Sequence, residues 1–306
     1  MALAIGALTA SSVFAQAPPT GPLILHVPAS ARTAALGNAW VAGRDQDVVF
    51  HNPAQLIGTR PGFDLSVTRL GAASTMTSIG SVFAAGKWSL TFGWGAQLLG
   101  FNADAATSYP YSPDLLQAPG SRSGTSALVT AGAAILFKKF RIGVAGKYAS
   151  DLAATSPSML LPVRANQQVL LADVGVARNL FGGAAALAVQ NIGRHSHDNG
   201  GYLPIPRQIA LGWSTARGAG PFDLGIFTQV TGRKGWVAPA AGVEVGYSWI
   251  EGYTVVLRAG ARRPETVAEK PLALGAALTV DRLTVEYAVR FFDGGRSANG
   301  VTLRWR

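Results

Sequence analysis

The sequence predicts an all-β protein: a transmembrane antiparallel β-barrel of about fourteen strands, preceded by a short N-terminal plug containing helical turns. Three observations predict it. The first is an alternation that returns from about residue 62 to the last residue. Leu283, Val285, Tyr287, Val289 and Phe291 take every second position, with Thr284, Glu286, Ala288 and Arg290 between them. Val301, Leu303 and Trp305 repeat the pattern against Thr302, Arg304 and Arg306. A period of two sends alternate side chains to opposite faces of a strand. One face is apolar and suits lipid; the other carries small and charged residues and suits a lumen.

The second observation is composition. Of 306 residues, 48% are hydrophobic and 14% charged, where soluble domains carry roughly 25% charged residues. Yet after residue 22 no stretch of about 18 apolar residues is free of charge, so the body has no spanning helix. The third is a sorting of link lengths. Short links at Lys138-Lys139, 179–182, 217–219, Ile250 and Asp281 alternate with longer ones at 99–123, 152–165, 192–204, 232–235, 263–269 and 293–296. Outer-membrane barrels have tight periplasmic turns and long extracellular loops. That parity expects both termini in the periplasm.

Residues 1–17 read as a signal peptide. Met1 to Val13 are apolar, and Ala15-Gln16-Ala17 gives a small-x-small cleavage site before Pro18 and Pro19, although no basic n-region precedes them. Residues 18–61 do not alternate and are expected to form a periplasmic-side plug, or hatch, folded into the barrel. Ser30 suits the N-cap of a short helix from Ala31 to about Gly37, because its hydroxyl accepts a free backbone N–H. In Asn52-Pro53-Ala54-Gln55-Leu56-Ile57-Gly58, Asn52 caps, Pro53 suits the first helical position, and Gly58 suits a left-handed C-terminal position.

Residues 62–306 form the barrel. Its strands are expected at 62–70, 75–85, 87–98, 124–137, 140–151, 166–179, 182–191, 205–216, 220–231, 236–249, 251–262, 270–280, 282–292 and 297–306. Many run past the 9 to 11 tilted residues that a spanning strand needs. Aromatics gather near strand ends: Trp88, Phe92 and Trp94 on one face, then Tyr247, Trp249 and Tyr253. Such rings straddle headgroups and hydrocarbon.

Ser30-Ala31-Arg32-Thr33-Ala34-Ala35-Leu36-Gly37-Asn38-Ala39, then Asp45-Gln46-Asp47 and Asn52-Pro53-Ala54-Gln55-Leu56, resemble the N-terminal signature of the PorV/PorQ family. Ala188-Val189-Gln190-Asn191-Ile192-Gly193, followed by Leu203-Pro204 and Arg207-Gln208-Ile209-Ala210-Leu211-Gly212, is a second similar stretch. Asn38 stands where a second glycine is common, and Gln55 where PorV-like chains usually have glycine. The resemblance implies a barrel related in architecture to the fatty-acid channel FadL, with fourteen strands and an N-terminal hatch. It also implies a role in type IX protein secretion, with secretion-complex subunits or secreted cargo proteins as partners, and a hatch motif of Ser30, Arg32, Gly37, Asp45, Asp47, Asn52 and Pro53.

The sequence offers no set of residues for catalysis, cofactor or metal. Histidines occur at 26, 51, 195 and 197; His195 and His197 beside Asp198 lack the third or fourth converging ligand that a metal needs. The net charge of +10 is scattered rather than clustered with aromatics, which argues against nucleic acid and for anionic outer-membrane lipid or lipopolysaccharide. Glu244, Arg258, Glu286, Arg290 and Arg304 fall on polar strand faces and are expected to pair across strands and hold the hatch, with Arg44, Asp45 and Asp47 as its contribution.

Two functions follow. In the first, the barrel binds partner proteins through the 99–123 loop, whose Tyr109, Tyr111, Leu115 and Leu116 are apolar for exposed chain. In the second, it is a FadL-like channel for hydrophobic small molecules. That role wants an apolar lumen pocket and a kinked strand, for which Gly93, Gly95 and Pro239 are candidates. The inward positions read as mostly small or charged, which disfavours such a pocket.

Overall fold

The computed structural model describes residue 17 and residues 20–71, 74–85, 90–103, 122–154, 166–195, 204–266 and 268–306. The strands are β1 Gly62–Leu70, β2 Ser74–Ala85, β3 Leu90–Ala103, β4 Arg122–Phe137, β5 Phe140–Ala154, β6 Asn166–Leu180 and β7 Gly183–His195. The second half has β8 Gln208–Ala219, β9 Phe222–Arg233, β10 Trp236–Ile250, β11 Tyr253–Arg262, β12 Glu269–Val280, β13 Leu283–Phe292 and β14 Ser297–Trp305. Each pairs antiparallel with its sequence neighbours, and β1 pairs with β14 from Phe63↔Trp305 to Leu70↔Ala298, which closes the barrel. Closure leaves no unpaired edge, the condition for sheet in a bilayer. No helix is long and apolar enough to cross a membrane among the described residues.

The two mouths differ. Gly62 and Trp305 lie at one, together with the tight turns. There Lys138, Phe181, Gly182, Gly220, Gly252 and Asp281 have positive φ, the backbone that primed hairpin turns require. This is the near mouth. The longer connections at 104–121, 155–165 and 196–207 lie at the far mouth; the link expected at 232–235 is instead a two-residue turn, Lys234-Gly235, between β9 and β10 at that same mouth, because strand pairing runs on to Arg233↔Trp236. β3 runs beyond its expected end, to Ala103, and Ile205–Arg207 are irregular where the alternation predicted strand.

The alternation sorts as expected. On β13 and β14 Leu283, Val285, Tyr287, Val301, Leu303 and Trp305 are exposed outward, while Thr284, Glu286, Ala288, Arg290, Thr302 and Arg304 are buried inward. Near the near mouth Phe222, Tyr247, Trp249 and Tyr253 form a chain of outward rings with centroids 5.2 to 6.5 Å apart. Trp88 lies outside the described residues. β3 pairs without interruption on both sides through Gly93 and Gly95, and Pro239 keeps register with Val230 on β9. Neither glycine interrupts its strand's pairing, and Pro239 lies one residue beyond the end of the β10–β11 ladder. The wall is interrupted elsewhere: β6 and β7 shift register between Ala172 and Val174, and the β7–β8 ladder ends at Gln190↔Gln208 while β7 continues to His195. At that point Asn191 has φ 58 and donates from Nδ2 to the Pro206 carbonyl at 3.0 Å.

Candidate functional site

The lumen holds the hatch. Ser30 accepts from Thr33 N–H at 3.2 Å and starts a five-residue helix, α1, Ala31–Ala35. Gly37 follows with φ +64. Gln46–Phe50 form a 3-10 turn that the sequence reading had not singled out, and Pro53–Leu56 form another, capped by Asn52 accepting from Ala54 N–H at 3.0 Å. The second turn ends after four residues at Ile57, whose backbone is extended at φ -68 and ψ 119, and Gly58 follows with φ +91.

Inward-facing glycines seat these turns. A Cβ at Gly143 would lie 2.3 Å from the Pro53 carbonyl carbon, and one at Gly260 would lie 2.2 Å from that of Leu36. Both obstacles are backbone and cannot swing away. Gly93 and Gly95, read from the sequence as kinks, instead make room for Leu56 and Phe50. Ala35, Leu36, Val49 and Leu56 are fully buried as a result.

Charge fixes the hatch a second time. Arg32 pairs with Asp45 at 2.7 Å and with Glu244; Glu244 takes Arg258 at 3.1 Å. Arg258 meets Glu286 at 3.1 Å, Glu286 takes Arg304 at 2.8 Å, and Arg304 returns to Asp45 at 3.1 Å. The ion pairs close a ring of three cations and three anions, spanning hatch, β10, β11, β13 and β14. Arg306 also pairs with Asp45. Burial opposes ionisation of Asp45, but the guanidiniums of Arg304, Arg32 and Arg306 hold its carboxyl well below the usual carboxylate range.

Asp47 stands outside the ring. Its carboxylate accepts from Ser30 Oγ and Thr33 Oγ1, both at 2.6 Å, and from Trp40 Nε1 at 2.9 Å. Arg44 does not join either: it donates to Asn179 at 3.0 Å, facing the near mouth. Arg290 pairs with Glu269 in a separate far-side cluster. That cluster includes Arg262 with Glu269, and Arg233 with Glu265 at 2.9 Å. Asn52 donates to the Val41 carbonyl at 2.9 Å, and Pro53 occupies the first position of its turn. The partner-loop residues Tyr109, Tyr111, Leu115 and Leu116, and His197 with Asp198, lie outside the described residues.

The sequence reading missed an apolar lumen wall. Leu70, Met76, Leu99, Leu128, Val169 and Leu171 point inward from the far halves of β1–β4 and β6 and are at most 5% exposed. They pack with Ile24, Val27, Val48 and Phe50 of the hatch. A cavity of about 100 Å³ lies across the lumen, bordered by Val41, His51, Gln190, Gln208, Gln229 and Trp236.

A closed fourteen-strand barrel with an outward apolar belt and an N-terminal hatch is a FadL-like β-barrel fold, shared with solved barrels. The toluene transporter TodX of Pseudomonas putida is similar over 90% of this chain and 97% of its own, with 10% identity and a TM-score of 0.59. The toluene transporter TbuX of Ralstonia pickettii is similar over 90% and 98%, at 14% identity and TM-score 0.55. A Pseudomonas aeruginosa FadL homologue is similar over 91% and 97%, at 13% and 0.54. No family model matches the sequence, and no curated protein does.

Proposed function

We propose that the protein is an outer-membrane channel for hydrophobic small molecules, oriented with its far mouth outside and both chain ends in the periplasm. One observation carries this reading: an apolar cluster of Leu70, Met76, Leu99, Leu128, Val169 and Leu171, interspersed with Ser74, Gln97 and Ser126, lines the far half of the lumen along β1–β4 and β6 and packs against the hatch. A water-filled pore presents polar groups inward. A dry wall of Leu, Met and Val favours aromatic or aliphatic solutes by about 25 cal/mol per Å² of apolar surface buried. The similarity to toluene transporters and a FadL homologue supports the same reading. The ion-pair ring and glycine seats close the direct route past the hatch, so a solute needs either hatch displacement or passage at the β7–β8 interruption.

The test is uptake. Expression in a host lacking its own hydrophobe channels is expected to raise entry of labelled toluene and long-chain fatty acid, and Leu99→Asp to abolish the gain. A partner-binding role of the PorV/PorQ type is the second reading, favoured by the segments Ser30–Ala39 and Asn52–Leu56 that build the hatch. Stoichiometric recovery of secretion subunits or exported cargo with a tagged copy, without any gain in uptake, supports that reading instead.

A further inference from the structure

Six cations are buried among the described residues: Arg141, Lys147, Arg258, Arg262, Arg290 and Arg304. Five have carboxylate partners. Arg141 has none. It enters the lumen from the near end of β5, is 6% exposed, and its Nε and Nη2 find no acceptor among the described residues. A buried charge without a counter-charge costs several kcal/mol, and in a protein that retains it the missing partner is a candidate ligand.

The surroundings fit an anion. Arg44 reaches across from the hatch, and both guanidiniums converge on Gly58. A Cβ there would lie 3.6 Å from Arg44 Nη1 and 3.7 Å from Arg141 Nη1. Gly58 and Arg44 border a recess of about 480 Å³ whose other charged lining residues are Arg60, Arg217, Arg306 and Asp223; Arg141 lies behind Gly58 and does not line it. Arg306 is engaged by Asp45. Two planar guanidiniums with free N–H groups suit bidentate recognition of a carboxylate or phosphate.

We infer that Arg141 and Arg44 form an oxyanion-binding site at the near mouth, taking the carboxylate or phosphate group of a small molecule. The site goes beyond the transport reading and does not depend on it. The oxyanion is either the headgroup of an amphiphile at the near mouth or a free inorganic ion.

The experiment is thermal unfolding of the purified full chain in non-ionic detergent at constant ionic strength. Inorganic phosphate, acetate and octanoate each replace chloride in turn. A ligand that binds only the folded state raises the midpoint in a saturable way. A rise with phosphate alone assigns a free phosphate; a rise with acetate and octanoate assigns a carboxylate headgroup. Arg44→Gln and Arg141→Met are each expected to weaken the response roughly ten- to hundredfold, the worth of a hydrogen bond to a charged group. Arg141→Met is also expected to unfold no earlier than wild type in chloride, since it removes an unpaired charge. Arg44 is exposed, so its variant decides the matter if Arg141→Met does not fold. An absent response in wild type, or one undiminished in Arg44→Gln, overturns the site.

Discussion

Asp45 Oδ2 lies 3.1 Å from Arg304 Nη1, with both side chains 1% exposed. This contact joins the hatch to the last strand of the barrel, 259 positions later in the chain. Through it the N-terminal segment and the strand that closes the barrel share one ring of charge. Asp45 accepts three guanidiniums. Asp45→Asn therefore leaves excess positive charge in a buried site and is expected to cost roughly 3–5 kcal/mol. A thermal midpoint equal to wild type would show that the ring does not anchor the hatch.

The ring also sets a pH window. The Asp45 carboxyl is held below its ordinary value by its three cations despite burial. Glu265, also buried, is held low by the His26 hydrogen bond and by Arg233. Each contributes stability that is fully present above the unfolded carboxylate range, about 4, and is lost as pH falls through the folded value. Burial also holds the His51 imidazole below its ordinary value. That contribution declines first, as pH drops below about 6.5. Unfolding followed from pH 8 to pH 3 should show two successive losses, and His51→Gln should remove only the earlier one.

Glycine seats make a second, independent anchor. Gly260→Val drives a side chain into the backbone of Leu36 and Gly37. Overpacking costs roughly 1–3 kcal/mol where neighbours can yield; backbone yields less, so the hatch should unseat. The reading is ionic conductance in planar bilayers, expected to be near zero for wild type and raised for the variant. Unchanged conductance would mean that the hatch is held without this seat.

Much of the fold was legible because a membrane barrel writes its topology in period-two parity. β13 shows this, with every inward position from Thr284 to Arg290 correctly separated from its lipid-facing neighbours. The seat was not legible. Gly93 and Gly95 lack a side chain whether they bend a strand or admit Leu56 and Phe50, and only the fold tells these apart. The apolar wall was missed for a different reason. Along β1 the inward set runs Asp64, Ser66, Thr68, Leu70, changing from polar to apolar within one parity. Averaged along a strand this reads as mixed; only strand register sets Met76 against Leu99, and only the closed barrel gathers them with Leu70 and Leu128. The ring was partly legible from Glu244, Arg258, Glu286 and Arg304, but the distinct partners of Asp47 and Arg44 depend on how the hatch turns.

Lys147 and Asp173 pair at 2.6 Å in the wall, 3% and 0% exposed. Lys147 also donates to the Phe50 carbonyl at 3.0 Å, and Asp173 accepts from Asn191 N–H at the β7 irregularity. Lys147→Met should cost roughly 3–5 kcal/mol by stranding the carboxylate. Asp173→Asn in the same chain should recover much of that loss. Additive costs in the double variant would show that the two do not act as a pair.

The most direct measurement is equilibrium binding of labelled toluene and a long-chain fatty acid to the purified barrel, alongside Leu99→Asp and Met76→Asp. Saturable binding is expected in wild type, and its loss in both variants, with their folds intact by circular dichroism. Binding that is absent in wild type, or unaffected by either carboxylate, would contradict a hydrophobe-binding lumen.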